Sequence, residues 1–300
     1  MLFGAHVSIA GGVQQAPLNA RAIGCEVFQM FTRSPQGGPA LKLTDEIVAA
    51  FFHNVGTPLS LRFDASVSER RRGARGEVRL AEWVIHTPYY INFASANDRI
   101  RHGSARIVRE ELERGSILKA KYVMFHPGSA KDVGEAEAIK LVVDGIKKIY
   151  DGYDGTTELL IEISAGAGMV IGATFESVAE IIEQVDHPKL GVCFDTAYAF
   201  ASGYDLRTAS AVDETFKLFA ATIGLARLKM SHCNDSKVDL GARRDRHEHL
   251  GDGFIGLSGF KAIVNHPKLQ HMNLYCETAP DKVAEDIKKL KKMRGTSISK

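Results

Sequence analysis

Eight short apolar runs recur along the chain, and longer amphipathic stretches separate most of them. The runs are LFGAHV (2–7), EVFQMFT (26–32), EWVIHTPYYI (82–91), YVMFH (122–126), ELLIEI (158–163), LGVCFD (190–195), RLKMSH (227–232) and MNLYCE (272–277). Runs this short and this apolar suit strands buried on both faces. Between them, EAEAIKLVVDGIKKIY (135–150) and FESVAEIIEQV (175–185) repeat apolar residues at helical spacing. The alternation predicts a parallel α/β sheet with crossover helices. Eight such units in 300 residues predict a closed (β/α)8 barrel, with a doubly wound open sheet as the alternative. No linker rich in Gly, Pro or Ser divides the chain, so residues 1–300 are expected to form a single domain.

Composition narrows the setting. No apolar run approaches the roughly eighteen residues of a membrane span. The opening MLFGAHVSIAGG carries no basic region ahead of its apolar stretch, unlike a secretory signal. Cys25, Cys193, Cys233 and Cys276 lie far apart, without CxxC spacing. Buried, reduced thiols in a cytoplasmic protein are therefore expected, rather than a disulfide framework. The net charge of +2 permits nucleic acid as a partner without arguing for it, because a local patch matters more than the total.

One segment breaks the rhythm. LSLRFDASVSERRRGARGEVRL (59–80) holds six arginines. It reads first as a solvated loop or extended helix and second as a nucleic-acid contact. In a barrel this connection returns across the bottom, away from the catalytic face.

The ends of the runs carry the chemistry. The third to eighth runs end in or contain, at their polar edge, His86, His126, Glu162, Asp195, His232 and Glu277. In a barrel all six project from the C-terminal rim, where active sites of this architecture are built. Any one of them has a duller explanation: a hydrogen-bonded loop histidine, a Glu162 ion pair, or Asp195 capping the next helix. Asp245 and His247, in GARRDRHEHLGDG, could belong to a basic surface loop. Six consecutive strands repeating the pattern point instead to bound cations, since buried charge is costly unless paired or metal-bound. Nitrogen and oxygen ligands without thiolate suit zinc or manganese.

With these residues in view, the sequence resembles the endonuclease IV family of apurinic/apyrimidinic-site DNA repair enzymes. GAHVS, HTPYYIN, FHPGSA, the Glu of LLIEISAG, DTAYAFASGYD, HCNDSK, RRDRHEHLGDG and ETAP follow one another in the family's order from residue 4 to 280. The resemblance implies a single TIM barrel of the xylose-isomerase-like kind, with three zinc ions below a DNA-binding crescent of rim loops. It assigns His86 and His126 to the first zinc and Glu162 as the bridge to the second. Asp195, His232 and Glu277 match the remaining ligands of the second zinc, and Asp245 and His247 match two ligands of the third. On this assignment Glu162, Asp195 and Glu277 stand at the catalytic centre, and Tyr89 matches the family's DNA-contacting tyrosine.

The family's last ligand for the third zinc is the His of a DTxHAF motif, and this chain has Tyr198 there. A phenol with a pKa near 10 must lose its proton to bind a metal well. Two complete zinc sites and a weakened third are therefore expected, with Tyr198 hydrogen-bonded to Asp245 as the plainer role. Ile163 and Ala167 replace the Asn and Gln of an ENTAGQG-like run, so some supporting hydrogen bonds are lost. TRSPQGGP offers no clear match to the basic wedge residue of the loop after the second strand.

The implied activity is hydrolysis of the phosphodiester 5′ to an abasic site in double-stranded DNA, leaving a 3′-hydroxyl and a 5′-deoxyribose phosphate. A cytoplasmic monomer without membrane attachment is expected. Two other readings compete. A barrel sugar isomerase or epimerase could hold one metal with Glu162, Asp195, His232 and Glu277, but it leaves His86, His126, Asp245 and His247 without work. A cleavage-impaired binder of abasic DNA follows if Tyr198 has disabled catalysis.

Overall fold

The computed structural model describes residues 1–56 and 80–294. The arginine-rich segment singled out above, Leu80 excepted, lies outside the described residues. All eight apolar runs contain strands: β1 (Phe3–His6), β2 (Val27–Met30), β3 (Glu82–His86), β4 (Tyr122–Phe125), β5 (Glu158–Glu162), β6 (Leu190–Asp195), β7 (Leu228–His232) and β10 (Asn273–Cys276). They pair in parallel and close into a barrel, with β1 beside β10 through Phe3↔Leu274. The closed barrel, not the open sheet, is the architecture. Two further short strands, β8 (Asp235–Ser236) and β9 (His247–Glu248), make an antiparallel hairpin above the rim.

Helices α1 (Ala16–Ala22), α2 (Asp45–Val55), α3 (Asp98–Leu118), α4 (Glu135–Tyr150), α5 (Phe175–Val185), α7 (Ala209–Thr222), α8 (Gly256–Asn265) and α9 (Val283–Arg294) surround the strands. A one-and-a-half-turn helix, α6 (Thr196–Ala201), starts where β6 stops. Helix α5 illustrates how the sequence dictates these elements. Thr174 caps it by accepting from the Ser177 amide at 3.2 Å, satisfying one donor left open at a helix start. Val178, Ile181, Ile182 and Val185 then fall on one buried face, each contributing roughly 1.5–3 kcal/mol on burial. Asp186 ends the helix in the left-handed conformation, φ 50°. Ile181→Ala would cost roughly 2–5 kcal/mol, because the packed surroundings close only partly over the gap.

Strand side chains alternate between the helices and the barrel lumen. Val27, Val84, Tyr122, Met124, Leu160, Cys193, Met230 and Tyr275 form the buried interior layer. This layer is a mainly apolar floor, and the next inward residues along several strands are the polar ones at the rim. Close packing of β1 on β2 depends on Gly4, since a Cβ there would lie 1.6 Å from the Val27 carbonyl oxygen. All four cysteines are free and buried. Among the described residues, no helix is long and apolar enough to cross a membrane.

The loop after β2 is fixed to α3 by buried charge. Arg33 reaches Glu111 at 2.5 Å and Glu110 at 2.8 Å. Thr32 donates to Glu111 and accepts from Arg114 at 2.7 Å. Arg114 also donates to the Thr32 and Leu41 carbonyls, at 2.8 Å each. An isolated buried guanidinium would be costly, whereas this one is paired and hydrogen-bonded on both sides.

Candidate metal centre

The rim residues meet over the apolar floor. His86, Glu162, Asp195 and His232 are the last residues of β3, β5, β6 and β7. His126 and Glu277 follow directly on β4 and β10. Glu162 is fully buried, and its two oxygens face different partners. Oε2 lies 3.3 Å from His86 Nε2 and 3.4 Å from His126 Nε2. Oε1 lies 2.6 Å from His232 Nδ1, which is also 3.3 Å from Glu277 Oε2 and 3.8 Å from Asp195 Oδ2. Potential ligand atoms of His86, His126 and Glu162 lie within 4.8 Å of one another, as do those of Glu162, Asp195, His232 and Glu277. Glu162 belongs to both groups, the geometry of a bridging carboxylate.

The chemistry of these donors fits a cation. His86 Nδ1 stands 2.6 Å from the Thr87 carbonyl oxygen; a carbonyl only accepts, so Nδ1 carries the proton and Nε2 turns to Glu162. Glu162 Oε2 is buried without a hydrogen-bond partner. Desolvation works against the Glu162 carboxylate, yet His126 and His232 hold it well below the ordinary range. Desolvation likewise opposes charge on His232, but Cys193, Glu162 and Glu277 raise it well above its usual value. Burial pushes Asp195 up to about 7, with His247 and His232 opposing. Burial lowers His126 despite Glu162 nearby. Three carboxylates this close need positive charge between them, and without metal the raised His86 and His232 supply it as protonated rings.

Asp195 caps the next helix with one oxygen and faces the rim group with the other. Its Oδ1 caps α6 by accepting from the Tyr198 amide at 2.8 Å. Its Oδ2 accepts from Asn234 Nδ2 at 2.7 Å, and Asn234 Oδ1 in turn accepts from the Glu277 amide at 2.7 Å.

The remaining pair stands apart from these two groups. His247, on β9, places Nε2 3.7 Å from Asp195 Oδ2 and 3.9 Å from Asp245 Oδ1. That nitrogen is buried without a hydrogen-bond partner. Tyr198 is buried, and its hydroxyl donates to Asp245 Oδ2 at 3.0 Å. Its ring stands beside His126 and His247, with centroids 5.9 and 5.0 Å away. Desolvation, with Asp195 and Glu162 adding to it, raises the Tyr198 phenol well above 10. The hydroxyl thus keeps its proton and occupies an Asp245 lone pair.

Asp235, on β8, ties the hairpin to the loop that follows it. Its buried carboxylate accepts from the amides of Gly251 and Ile255 at 2.9 Å each, and of Gly253 and Gly256 at 3.2 Å each. Gly253 is required, as a Cβ there would come 2.5 Å from the Ser236 carbonyl oxygen.

Tyr89 is 68% exposed on the loop after β3, its ring edge-on to Phe31 at 5.4 Å. Arg243, Arg244 and Arg246 are exposed around Asp245. Sequence reasoning missed Gln29, His6, Asn234 and Asp235. Gln29 is fully buried and touches both His232 and Glu277 at 2.6 Å. Its signal was a polar residue inside an otherwise apolar strand, FQMF.

The family model described as a xylose isomerase-like TIM barrel matches residues 18–293. Probable endonuclease 4 of Chloroflexus aggregans is 35% identical over 295 residues, 97% of this chain and 96% of its own. The crystal structure of endonuclease IV from Thermus thermophilus superimposes with a TM-score of 0.80 at 29% identity, over 98% of each chain. A D-tagatose 3-epimerase-like protein superimposes with a TM-score of 0.67 at 18% identity, over 98% of each chain, a likeness of fold alone. On the strength of 35% identity across nearly its whole length, the chain belongs to the endonuclease IV family.

Proposed function

We propose that the protein is a DNA-repair endonuclease that hydrolyses the phosphodiester 5′ to an abasic site, using divalent metal held at the barrel rim. The observation that carries this reading is Glu162, whose two buried oxygens face separate groups of nitrogen and oxygen donors. His86, His126 and Glu162 would hold one ion; Glu162, Asp195, His232 and Glu277 would hold a second. The donor set suits zinc, with manganese as the alternative. Such ions supply Lewis acidity, activating water at neutral pH and neutralising charge on the phosphate.

The chain's own residues account for the rest. An abasic site lacks one stacked base, so bending and unstacking the duplex there costs less. Tyr89, exposed beside His86, would fill the vacated stack. Arg243, Arg244 and Arg246 supply charge for backbone phosphates without reading sequence. Asn234 keeps Asp195 and the chain at Glu277 in a fixed relation, so the ligands are held before substrate arrives. Asp245 and His247 make a partial third site, weakened because Tyr198 offers a protonated phenol where the family places an imidazole.

The test pairs metal analysis with cleavage of a duplex carrying one tetrahydrofuran abasic analogue. About two tightly held metals per chain, and cleavage 5′ to the analogue that stops on chelation, are expected. Metal without cleavage, but with salt-sensitive binding to the abasic duplex, would select the impaired binder. One metal and no DNA affinity would instead return the protein to the sugar-isomerase reading.

A further inference from the structure

The two strands that donate no ligand hold a second polar layer behind the centre. Gln29 lies on β2 with its Cα paired to His6 at the end of β1. Its Oε1 faces His232 Nε2 at 2.6 Å. Its Nε2 donates to Glu277 Oε1 at 2.6 Å and meets His6 Nδ1 at 2.9 Å. We infer that Gln29, with its amide oriented by His6, is a positioning residue that sets the metal-facing nitrogen of His232 and the orientation of Glu277. This rests on the metal-centre reading and adds a role for a residue outside the ligand set.

The inference follows from which atoms carry hydrogen. An amide oxygen only accepts, so His232 Nε2 must bear a proton. With Nε2 so engaged, Nδ1, which donates to Glu162 at 2.6 Å in this structure, is the nitrogen that would give up its proton to a metal. The two amide hydrogens point at Glu277 and His6, which must both accept. A reversed amide would set N–H against N–H at His232 and oxygen against carboxylate at Glu277. His6 selects the orientation seen, provided its Nδ1 keeps a lone pair. Burial, the main influence, lowers His6 to about 4, so the ring stays neutral at working pH. Histidine ligands generally need such a partner on their other nitrogen, and losing it commonly weakens metal affinity by roughly ten- to a hundredfold. Here one neutral side chain, fully buried, serves a histidine and a carboxylate together.

Two variants separate the functions of the amide. Gln29→Met removes acceptor and donors at similar volume. Gln29→Glu keeps an acceptor for His232 but loses the hydrogen bond to His6 and sets a second carboxyl group against Glu277. Zinc release to a chromogenic chelator would be timed for each, with circular dichroism checking that the zinc-loaded fold is kept. Release about ten- to a hundredfold faster is expected from both. In proton NMR of the zinc-loaded proteins, the low-field imidazole N–H of His232 should persist in wild type and Gln29→Glu and vanish in Gln29→Met. Wild-type release rates in either variant, or an unchanged N–H signal in Gln29→Met, would overturn the inference. Should Gln29→Met fail to fold, the release rate of Gln29→Glu decides alone. Absence of any tightly held divalent metal from wild type would defeat the metal-centre reading itself, a separate outcome.

Discussion

Tyr198 and Asp245 are joined by a hydrogen bond of 3.0 Å, phenol to carboxylate. The bond places a protonated donor on a carboxylate that stands beside His247. In Tyr198→His the imidazole offers a lone pair in place of that donor. Metal content should rise from about two to about three ions per chain, and cleavage should accelerate more than abasic-DNA binding strengthens. Tyr198→Phe should free Asp245 without adding a ligand, leaving metal content near two. Elemental analysis beside single-turnover cleavage checks this. Three ions in wild type with equal rates in all three proteins would sink the weakened-site reading.

Asp235 should matter to stability more than its loop position suggests. It accepts from four backbone amides between Gly251 and Gly256. Asp235→Ala strands the buried Ile255 amide, at about 1–3 kcal/mol, and leaves the partly exposed Gly251, Gly253 and Gly256 amides to water. A loss of about 2 kcal/mol is expected from urea unfolding of the metal-free protein. Asp235→Asn, which retains one accepting oxygen, should lose less. Equal stability of Asp235→Ala and wild type would mean that water replaces the carboxylate without penalty.

Two arginines near the rim should differ in salt dependence. Arg33 is buried against Glu110 and Glu111, whereas Arg244 is exposed on the loop carrying Asp245. Arg244→Ala should weaken abasic-duplex binding and lower the slope of log affinity against log salt by about one. Arg33→Ala should destabilise the fold and disturb the loop after β2 while leaving that slope unchanged. Fluorescence anisotropy from low to moderate salt distinguishes them. A reduced slope for Arg33→Ala would make Arg33 a phosphate contact after all.

These contrasts mark where sequence was readable. The barrel was legible because its strands are short, mainly apolar runs and helices such as α5 keep one buried face. The polar rim residues were legible because polar side chains closed those runs repeatedly; Glu162 and Asp195 do end their strands and meet His232. Gln29 was not, because one amide inside FQMF has the same appearance whether it serves a ligand or a neighbouring strand. Arg33, in TRSPQGGP, had no role legible in the sequence, and only the fold brings Glu110 and Glu111 to it from about eighty residues away. Asp235 looks like any acidic turn residue until the Gly-rich segment closes around it. Periodicity exposes what a strand buries, whereas pairing across the chain needs the third dimension.

Acid should reveal a stabilising contact remote from the metal centre. Glu26 accepts from Arg294 through both oxygens at 2.9 Å and from the Phe3 amide at 3.1 Å, tying α9 to the bottom of the barrel. Desolvation alone would raise its pKa, but the Arg294 and Phe3 hydrogen bonds outweigh it and set the folded value below the usual 4.5. A depressed carboxylate contributes stability that is fully present above the unfolded pKa and is lost as pH falls through the folded one. Arg294 is partly exposed, so solvent screening limits the contribution to about 1 kcal/mol. Glu26→Gln should therefore be less stable than wild type by about that much at pH 7. The gap should close as pH drops below about 4.5, toward the folded value. Urea unfolding of both proteins in chelator, which removes any metal-linked contribution from the rim carboxylates, measures the gap. A gap that stayed constant from pH 7 to pH 3 would show that Glu26 acts through shape and neutral hydrogen bonding rather than through its charge.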